Sequence, residues 1–433
     1  MRSGGLALSL WVAMAPGGPA RADEAACPAP EPRSVLRETL RADFVGAATL
    51  DRRFVPSFGL HGSLDQELQV FLPDQAMLVP EAGLRLRAAQ RQAYGRDYVS
   101  GQVTTSGTFA QRYGHFEMLA RMPQANGMWP AFWLVPENDV WPPEIDVVEY
   151  IYAPSGIRPD PAQSRYSIPA TTLHWRAEDG ALKQIAPGFG SPASPFQTGD
   201  DWNRTPAPAG APPGLAGYHR YAVDWRPGRI NWLIDDKPVF CVRDDPPRHR
   251  VPDIPLYMLL DLALSAGSPA KHDWTGYVEP GQSFPQDFDI ASVEVDQFAD
   301  LPPAPPPPLT VRELGAAPAM ARRGESVTLH ARLQVGDADL GASTGMAIGI
   351  RRFDSLQYTG IGSYAIYVPQ QIARLQAGRS YEIAAPVTIP VGLTPGLYSV
   401  SFETGYAAGP PNGPNNRRSA ALQQGGVLQI IDH

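Results

Sequence analysis

Trp141-Pro142-Pro143-Glu144-Ile145-Asp146-Val147-Val148-Glu149-Tyr150 packs three carboxylates into six residues and interleaves them with β-branched neighbours. Such neighbours favour a pleated strand. Side chains alternate between the faces of a regular strand, so residues 144 and 146 share one face and 149 takes the other. A one-residue bulge between Asp146 and Glu149 restores the phase and turns all three acids to the same side. Three carboxylates on a buried face repel one another and are costly to desolvate, so stability is not their reason. Either they form a working cluster, or the strand faces solvent and its acids are incidental.

Outward from this stretch the two-residue rhythm persists. It recurs in Gly83-Leu84-Arg85-Leu86-Arg87-Ala88, in Tyr221-Ala222-Val223-Asp224-Trp225 and in Ile230-Asn231-Trp232-Leu233-Ile234. Asp235-Asp236-Lys237-Pro238 then makes a tight hairpin turn into Val239-Phe240-Cys241-Val242. No long stretch keeps a helical period, and 47 prolines in 433 residues, about twice the usual share, oppose a mostly helical chain. The pattern predicts an all-β protein of packed antiparallel sheets.

The prolines between Pro302 and Pro308 form a stiff linker, with residues 301–309 as the domain boundary. Beyond it, residues 310–433 alternate again, as in Ser326 to Leu333 and Leu397 to Phe402, which suggests a smaller β-sandwich of immunoglobulin-like size. All nine tryptophans precede residue 275, so this second domain reads as structural or spacing rather than sugar-binding. The Gly/Pro/Ala-rich stretch from Pro187 to Pro213 reads as a long loop.

Composition narrows the function. Hydrophobic residues at 43% suffice for a core, while a formal charge of −8 opposes nucleic-acid binding, which calls for a basic face. Arg2, the apolar run Leu6 to Ala15 and Ala20-Arg21-Ala22 make residues 1–22 a secretory signal peptide, cleaved after Ala22. No later stretch is apolar for long enough to span a bilayer. The expectation is a secreted protein, extracellular or periplasmic, with no membrane insertion and no lipid on Cys27. Residues 23–42 form an N-terminal segment ahead of a main domain at 43–300. The two cysteines, Cys27 and Cys241, are either bridged or free thiols, and spacing does not choose between them. Eight scattered histidines and no C-x-x-C predict neither a metal centre nor a cofactor. Oligomeric state stays open.

Upstream of the acids stand Tyr113-Gly114-His115-Phe116-Glu117 and Gly127-Met128-Trp129-Pro130-Ala131-Phe132-Trp133-Leu134. Together with Glu144-Ile145-Asp146-Val147-Val148-Glu149, this approach resembles glycoside hydrolase family 16, the laminarinase and lichenase family, over about residues 43 to 298. His174-Trp175, Tyr218 to Trp225 and Tyr257 to Leu260 resemble its later strands. The resemblance implies a concanavalin-like β-jelly-roll with a cleft, and hydrolysis of a β-1,3 or mixed β-1,3/1,4 glucan with retained anomeric configuration. It implies Glu144 as nucleophile, Glu149 as acid/base, and Asp146 between them tuning Glu144. Trp129, Trp133, Trp141 and Trp175 are then sugar-stacking candidates. His174 is either a satisfied core histidine or a partner of Glu149 or a substrate hydroxyl.

Three positions depart from the family pattern. Leu119 stands for an arginine and Asp261 for an asparagine, which bear on substrate contacts. Ala291 stands for an aspartate of a structural calcium site, leaving Asp43 and backbone carbonyls for that ion. A transglycosylase and an enzyme processing the cell's own exopolysaccharide are alternative activities. A carbohydrate-binding or adhesion protein without turnover is the alternative class, and the intact acid triplet opposes it.

Overall fold

A computed structural model describes residues 27–57, 59, 66–136, 141–152, 167–177, 180–186, 214–245, 249–268, 275–302, 309–336, 339, 346–352, 364–370, 375–406 and 418–431. The expected signal peptide, most of the expected proline linker and the expected loop at 187–213 fall outside these residues.

Among them the regular secondary structure is strand, apart from two single 3-10 turns. One sheet of seven strands runs in the order β12 (Leu182–Ile185), β11 (Ser167–Arg176), β10 (Glu144–Tyr152), β9 (Met128–Pro136), β16 (Leu256–Leu264), β7 (Gln102–Thr104) and β2 (Val55–Pro56). The second sheet follows the path β15 (Lys237–Arg243), β14 (Arg229–Ile234), β13 (His219–Arg226), β8 (Gly114–Arg121), β17 (Gln286–Phe298), β5 (Gly83–Ala93), β6 (Arg96–Ser100) and β3 (Gln69–Phe71). To it β1 (Leu36–Asp43) adds through β17 and β4 (Ala76–Val79) through β5. These are the packed antiparallel sheets that the alternating pattern predicts, in the concanavalin-like jelly roll that the family resemblance implies.

The alternation sets what each strand buries. On β8, Phe116, Met118 and Ala120 enter the core; on β13, Tyr221, Val223 and Trp225; on β9, Met128, Phe132 and Leu134. The intervening residues of the second sheet face outward and carry charge. There Arg85 and Arg121 converge on Asp289 at 2.6 Å each, and His115 Nδ1 lies 2.8 Å from Asp224. The predicted hairpin is present: Asp235 and Asp236 turn at φ 46° and 63°. Lys237 and Pro238 belong to the strand that follows rather than to the turn.

β1 begins inside the stretch assigned to an N-terminal segment and pairs with β17, from Leu36↔Phe298 to Asp43↔Ser292. Ahead of it, Cys27 and Cys241 are joined in a disulfide with Cα atoms 5.6 Å apart. Glu31 pairs with Arg226 and Arg229, and Arg33 with Glu117, so this segment lies along the outer face of the second sheet. The bridge closes a loop of 214 residues. Replacing both cysteines by serine should cost about 2–5 kcal/mol in chemical denaturation. An unmoved midpoint would mean that the ion pairs alone hold the segment.

The C-terminal residues build a separate core around Leu329, Leu333, Ile348, Val400, Phe402 and Ile430. Its three-stranded sheet comprises β18 (Leu309–Ala317), β20 (Ser326–Val335) and β23 (Ser380–Thr388). Its five-stranded sheet comprises β19 (Met320–Arg322), β25 (Arg418–Ile431), β24 (Gly396–Tyr406), β21 (Met346–Arg352) and β22 (Tyr364–Gln370). Two sheets around one core make a second, smaller β-sandwich.

Candidate active site

The register of β10 explains how its acids come together. Against β11, Glu144 pairs with His174, Asp146 with Thr172 and Glu149 with Ala170, with a register shift between Asp146 and Glu149. The ladder with β9 shifts within the same span. Val147 and Val148 are consecutive, yet both lie in the core. One extra residue on the core side is what a bulge supplies, and it returns Glu149 to the face of Glu144 and Asp146. Trp232, buried beneath, donates its Nε1–H to the Asp146 carbonyl at 2.8 Å and anchors the bulge from below.

The facing residues of β9 complete the surface. Trp129 Nε1 donates to Glu149 Oε1 at 3.0 Å, and Trp133 Nε1 donates to Asp261 Oδ1 at 2.7 Å. Both indoles therefore stand on the acid-bearing side, while Phe132 between them is fully buried. Gly127 sets the entry to β9 at φ 70°, where a Cβ would meet the Tyr277 backbone at 2.4 Å, so only glycine fits. Trp141, 41% exposed, donates Nε1–H to Glu144 Oε2 at 2.6 Å, and its ring lies 5.9 Å from that of His174.

One sequence expectation needs correcting and one set of alternatives narrows. Trp175 does not reach this surface: it is 6% exposed and packs in the intersheet core against the His249 ring. Strand parity is the reason, since His174 faces the acids and its neighbour must face away. His174 partners the other end of the triplet from Glu149. Its Nε2 lies 3.2 Å from Asp146 Oδ2 and 3.7 Å from Glu144 Oε1. Burial lowers its basicity, with the Glu144 charge acting against that, so it favours the neutral imidazole.

Burial is also the leading cause of the carboxyl shifts. It pushes Glu144 and Glu149 each up to about 8, with the charge of Asp146 adding to Glu144 and that of Glu144 adding to Glu149. Asp146 is raised as well, by burial and then by Glu149. Such a face holds protons at neutral pH. Glu144 keeps 15% of its side chain exposed and has the shortest N–H donor, from Trp141, with the His174 ring nearby. Those contacts favour its anion, as the Trp129 N–H favours that of Glu149, and both act against burial.

Asp261 is the residue whose part sequence reasoning did not find. On β16 it stands opposite Ala131, which on its other side stands opposite Glu149. It is 6% exposed, and burial pushes it up to about 7 against the Trp133 and Gln102 hydrogen bonds. The signal was present as an acid inside the apolar run Tyr257 to Leu264, but only the ladder shows which acid it approaches. Leu119 takes its place in a small apolar cluster with Leu215, Tyr218 and Ala291 on the far side of the second sheet. As for calcium, the Asp43 carboxylate is engaged by Arg41 at 2.9 Å, and Asp289 by the two arginines named above.

The jelly roll thus sets two glutamates and an aspartate on one face among upright indoles. Residues 66–168 and 210–278 match the model of the family described as Glycosyl hydrolases family 16. Endo-1,3-1,4-beta-glycanase EglC of Rhizobium meliloti is 37% identical over 42% of this chain and 32% of its own length. Endo-1,3-1,4-beta-glycanase ExsH of the same organism is 34% identical over 46% of this chain and 35% of its own. The chain thus spans about a third of these two curated relatives. A Beta-glucanase of Rhodothermus marinus is 26% identical over 56% of this chain and 78% of its own length.

Proposed function

We propose that this protein is a secreted, retaining endo-glycosidase that hydrolyses β-1,3 or mixed β-1,3/1,4 glucan by double displacement. The observation that carries this reading is the bulge in β10, which puts Glu144, Asp146 and Glu149 on one face among Trp129, Trp133 and Trp141. The family match and the beta-glycanase names of the relatives support the chemistry and the linkage. The Cys27–Cys241 disulfide supports an oxidising, extracytoplasmic setting.

In the first step the Glu144 carboxylate attacks the anomeric carbon, the glycosidic C–O bond breaks, and Glu149 gives its proton to the departing oxygen. In the second, Glu149, now a carboxylate, takes a proton from water as that water attacks the same carbon and releases Glu144. Two inversions leave the configuration retained. Asp146 and His174 flank Glu144 and hold it in place. The indole faces offer the apolar platforms on which pyranose rings stack.

The test is product analysis with laminarin, lichenan and a β-1,4 glucan, reading anomeric configuration by NMR at early times. β-Configured oligosaccharides from the first two confirm retaining hydrolysis. Products longer than those supplied reassign the protein as a transglycosylase. Binding without products makes it a carbohydrate-binding protein.

Trp141 permits a sharper test. Trp141→Phe keeps the ring but removes the N–H held by Glu144, and a hydrogen bond to a charged group is worth roughly 1.5–3 kcal/mol. It should lower kcat/KM about 10- to 100-fold, mostly in kcat, whereas Trp141→Ala should also raise KM. Equal effects of the two on KM would remove the ring from the sugar platform.

A further inference from the structure

We propose that Asp261 is a positioning residue of this site. It holds the Trp133 indole upright and lays a further carboxyl beside Glu149, so its own charge state governs when Glu149 can serve as the acid. The inference rests on the functional reading above and adds a residue to it.

The geometry has two parts. First, Trp133 Nε1–H has Asp261 Oδ1 as its acceptor at 2.7 Å, and the contact crosses from β9 to β16 on the acid-bearing face. Trp133 is half-buried against Tyr257, Leu259, Val135 and Ala110, which support one side of the ring. Asp261 is the polar anchor that completes its orientation. Second, Glu149 and Asp261 flank the same residue, Ala131, from neighbouring strands. Two strand spacings separate their backbones, about 10 Å, with the small Ala131 side chain between them.

Among the described residues, those that face Asp261 leave its charge uncompensated. β7 presents Gln102 directly opposite, then Thr104. β9 presents Trp129, Ala131 and Trp133. β10 presents Asp146 and Glu149, with Glu144 further along. β11 contributes Thr172 and, at the Glu144 end, His174. Tyr257, Leu259 and Ala263 are its own-strand neighbours on that face. Burial and two hydrogen bonds, from Trp133 and Gln102, account for its titration, and its charge in turn raises both Glu149 and Asp146. An anion here opposes ionisation of Glu149; an amide of the same shape does not.

Asp261→Asn separates the two parts, because its amide oxygen still accepts the indole N–H while the charge is gone. The full chain is assayed on lichenan from pH 4 to 10. Asp261→Asn should move the basic limb of kcat/KM down by about half to one pH unit. Asp261→Ala should move it likewise and raise KM several-fold beyond Asp261→Asn, because the indole loses its anchor. An Asp261→Asn profile superimposable on that of an active parent overturns the proposal.

Thermal unfolding reads the same charge without substrate. Asp261 titrates higher folded than unfolded, so its contribution to stability is fully present below about pH 4 and declines as the pH rises through about 7. Removing it should raise the Tm of Asp261→Asn relative to the parent between pH 5 and 8 and flatten the decline there; parallel curves overturn the proposal. An inactive parent fails the functional reading, whereas an active parent with an unmoved Asp261→Asn limb or parallel Tm curves fails the Asp261 assignment alone. Asp261→Ser serves the same comparison if the asparagine variant does not fold.

Discussion

Glu144→Ala should abolish turnover of unmodified glucan, with kcat falling by roughly 10⁴ or more, and should leave the fold intact. The side chain is half-buried at the start of β10, beside the charges of Asp146 and Glu149. Removing a carboxyl from such a group relieves repulsion and desolvation, so Tm should hold or rise. The cavity left at residue 144 also provides a chemical signature. With an activated aryl β-glycoside, azide can enter where the carboxylate stood and attack from the nucleophile's side in a single displacement. One inversion then gives an α-glycosyl azide. Rescue to a β-azide, or substantial activity without azide, would remove Glu144 from the nucleophile's role.

Glu149→Gln carries the second large effect. General acid–base catalysis contributes about 10² to 10⁴ in rate, and kcat on glucan should fall by that factor. The loss should depend on the leaving group. An aryl glycoside with an acidic phenol needs no proton to depart, so its glycosylation step should be nearly normal and the glycosyl-enzyme should accumulate as a burst. The pH dependence should change in a defined sense. Glu149 must be protonated to act, and burial holds it at about 8, so the parent loses activity as the pH rises through that value. Glutamine has no proton to lose, and the basic limb should vanish. A limb preserved at about pH 8 in Glu149→Gln would assign it to another group.

The contact of Trp129 with Glu149 matters for that prediction. Its N–H favours the anion and opposes the burial that favours the acid. The residue has to serve in both states, as acid in the first step and base in the second. A carboxyl held too firmly in either would slow one of them.

Much of the site was legible along the chain because it is local. The three acids occupy one strand, and their phase conflict already demanded a bulge. The two consecutive core valines are the form that bulge takes. Trp129 and Trp133 lie four residues apart, but Pro130 between them obscures the phase along the chain, and it is their contacts with Glu149 and Asp261 that put both on the acid-bearing face. Trp141 is close enough in sequence to Glu144 to reach it. Trp175 was misplaced because a motif records neighbourhood and not direction, and one step along a strand reverses direction.

The amino-acid sequence by itself determined that the chain is all-β, that it divides near a proline linker and that Glu144, Asp146 and Glu149 belong together. Each of these is a short-range property of spacing, turn chemistry and alternation. Only the tertiary structure decided that Cys27 meets Cys241 across 214 residues, that His174 sits against Asp146 rather than Glu149, and that Asp261 anchors Trp133 from 128 residues away. Those contacts depend on the order in which strands are laid side by side. Strand order is set by burial of the whole intersheet core, to which every strand contributes, and so no single segment encodes it.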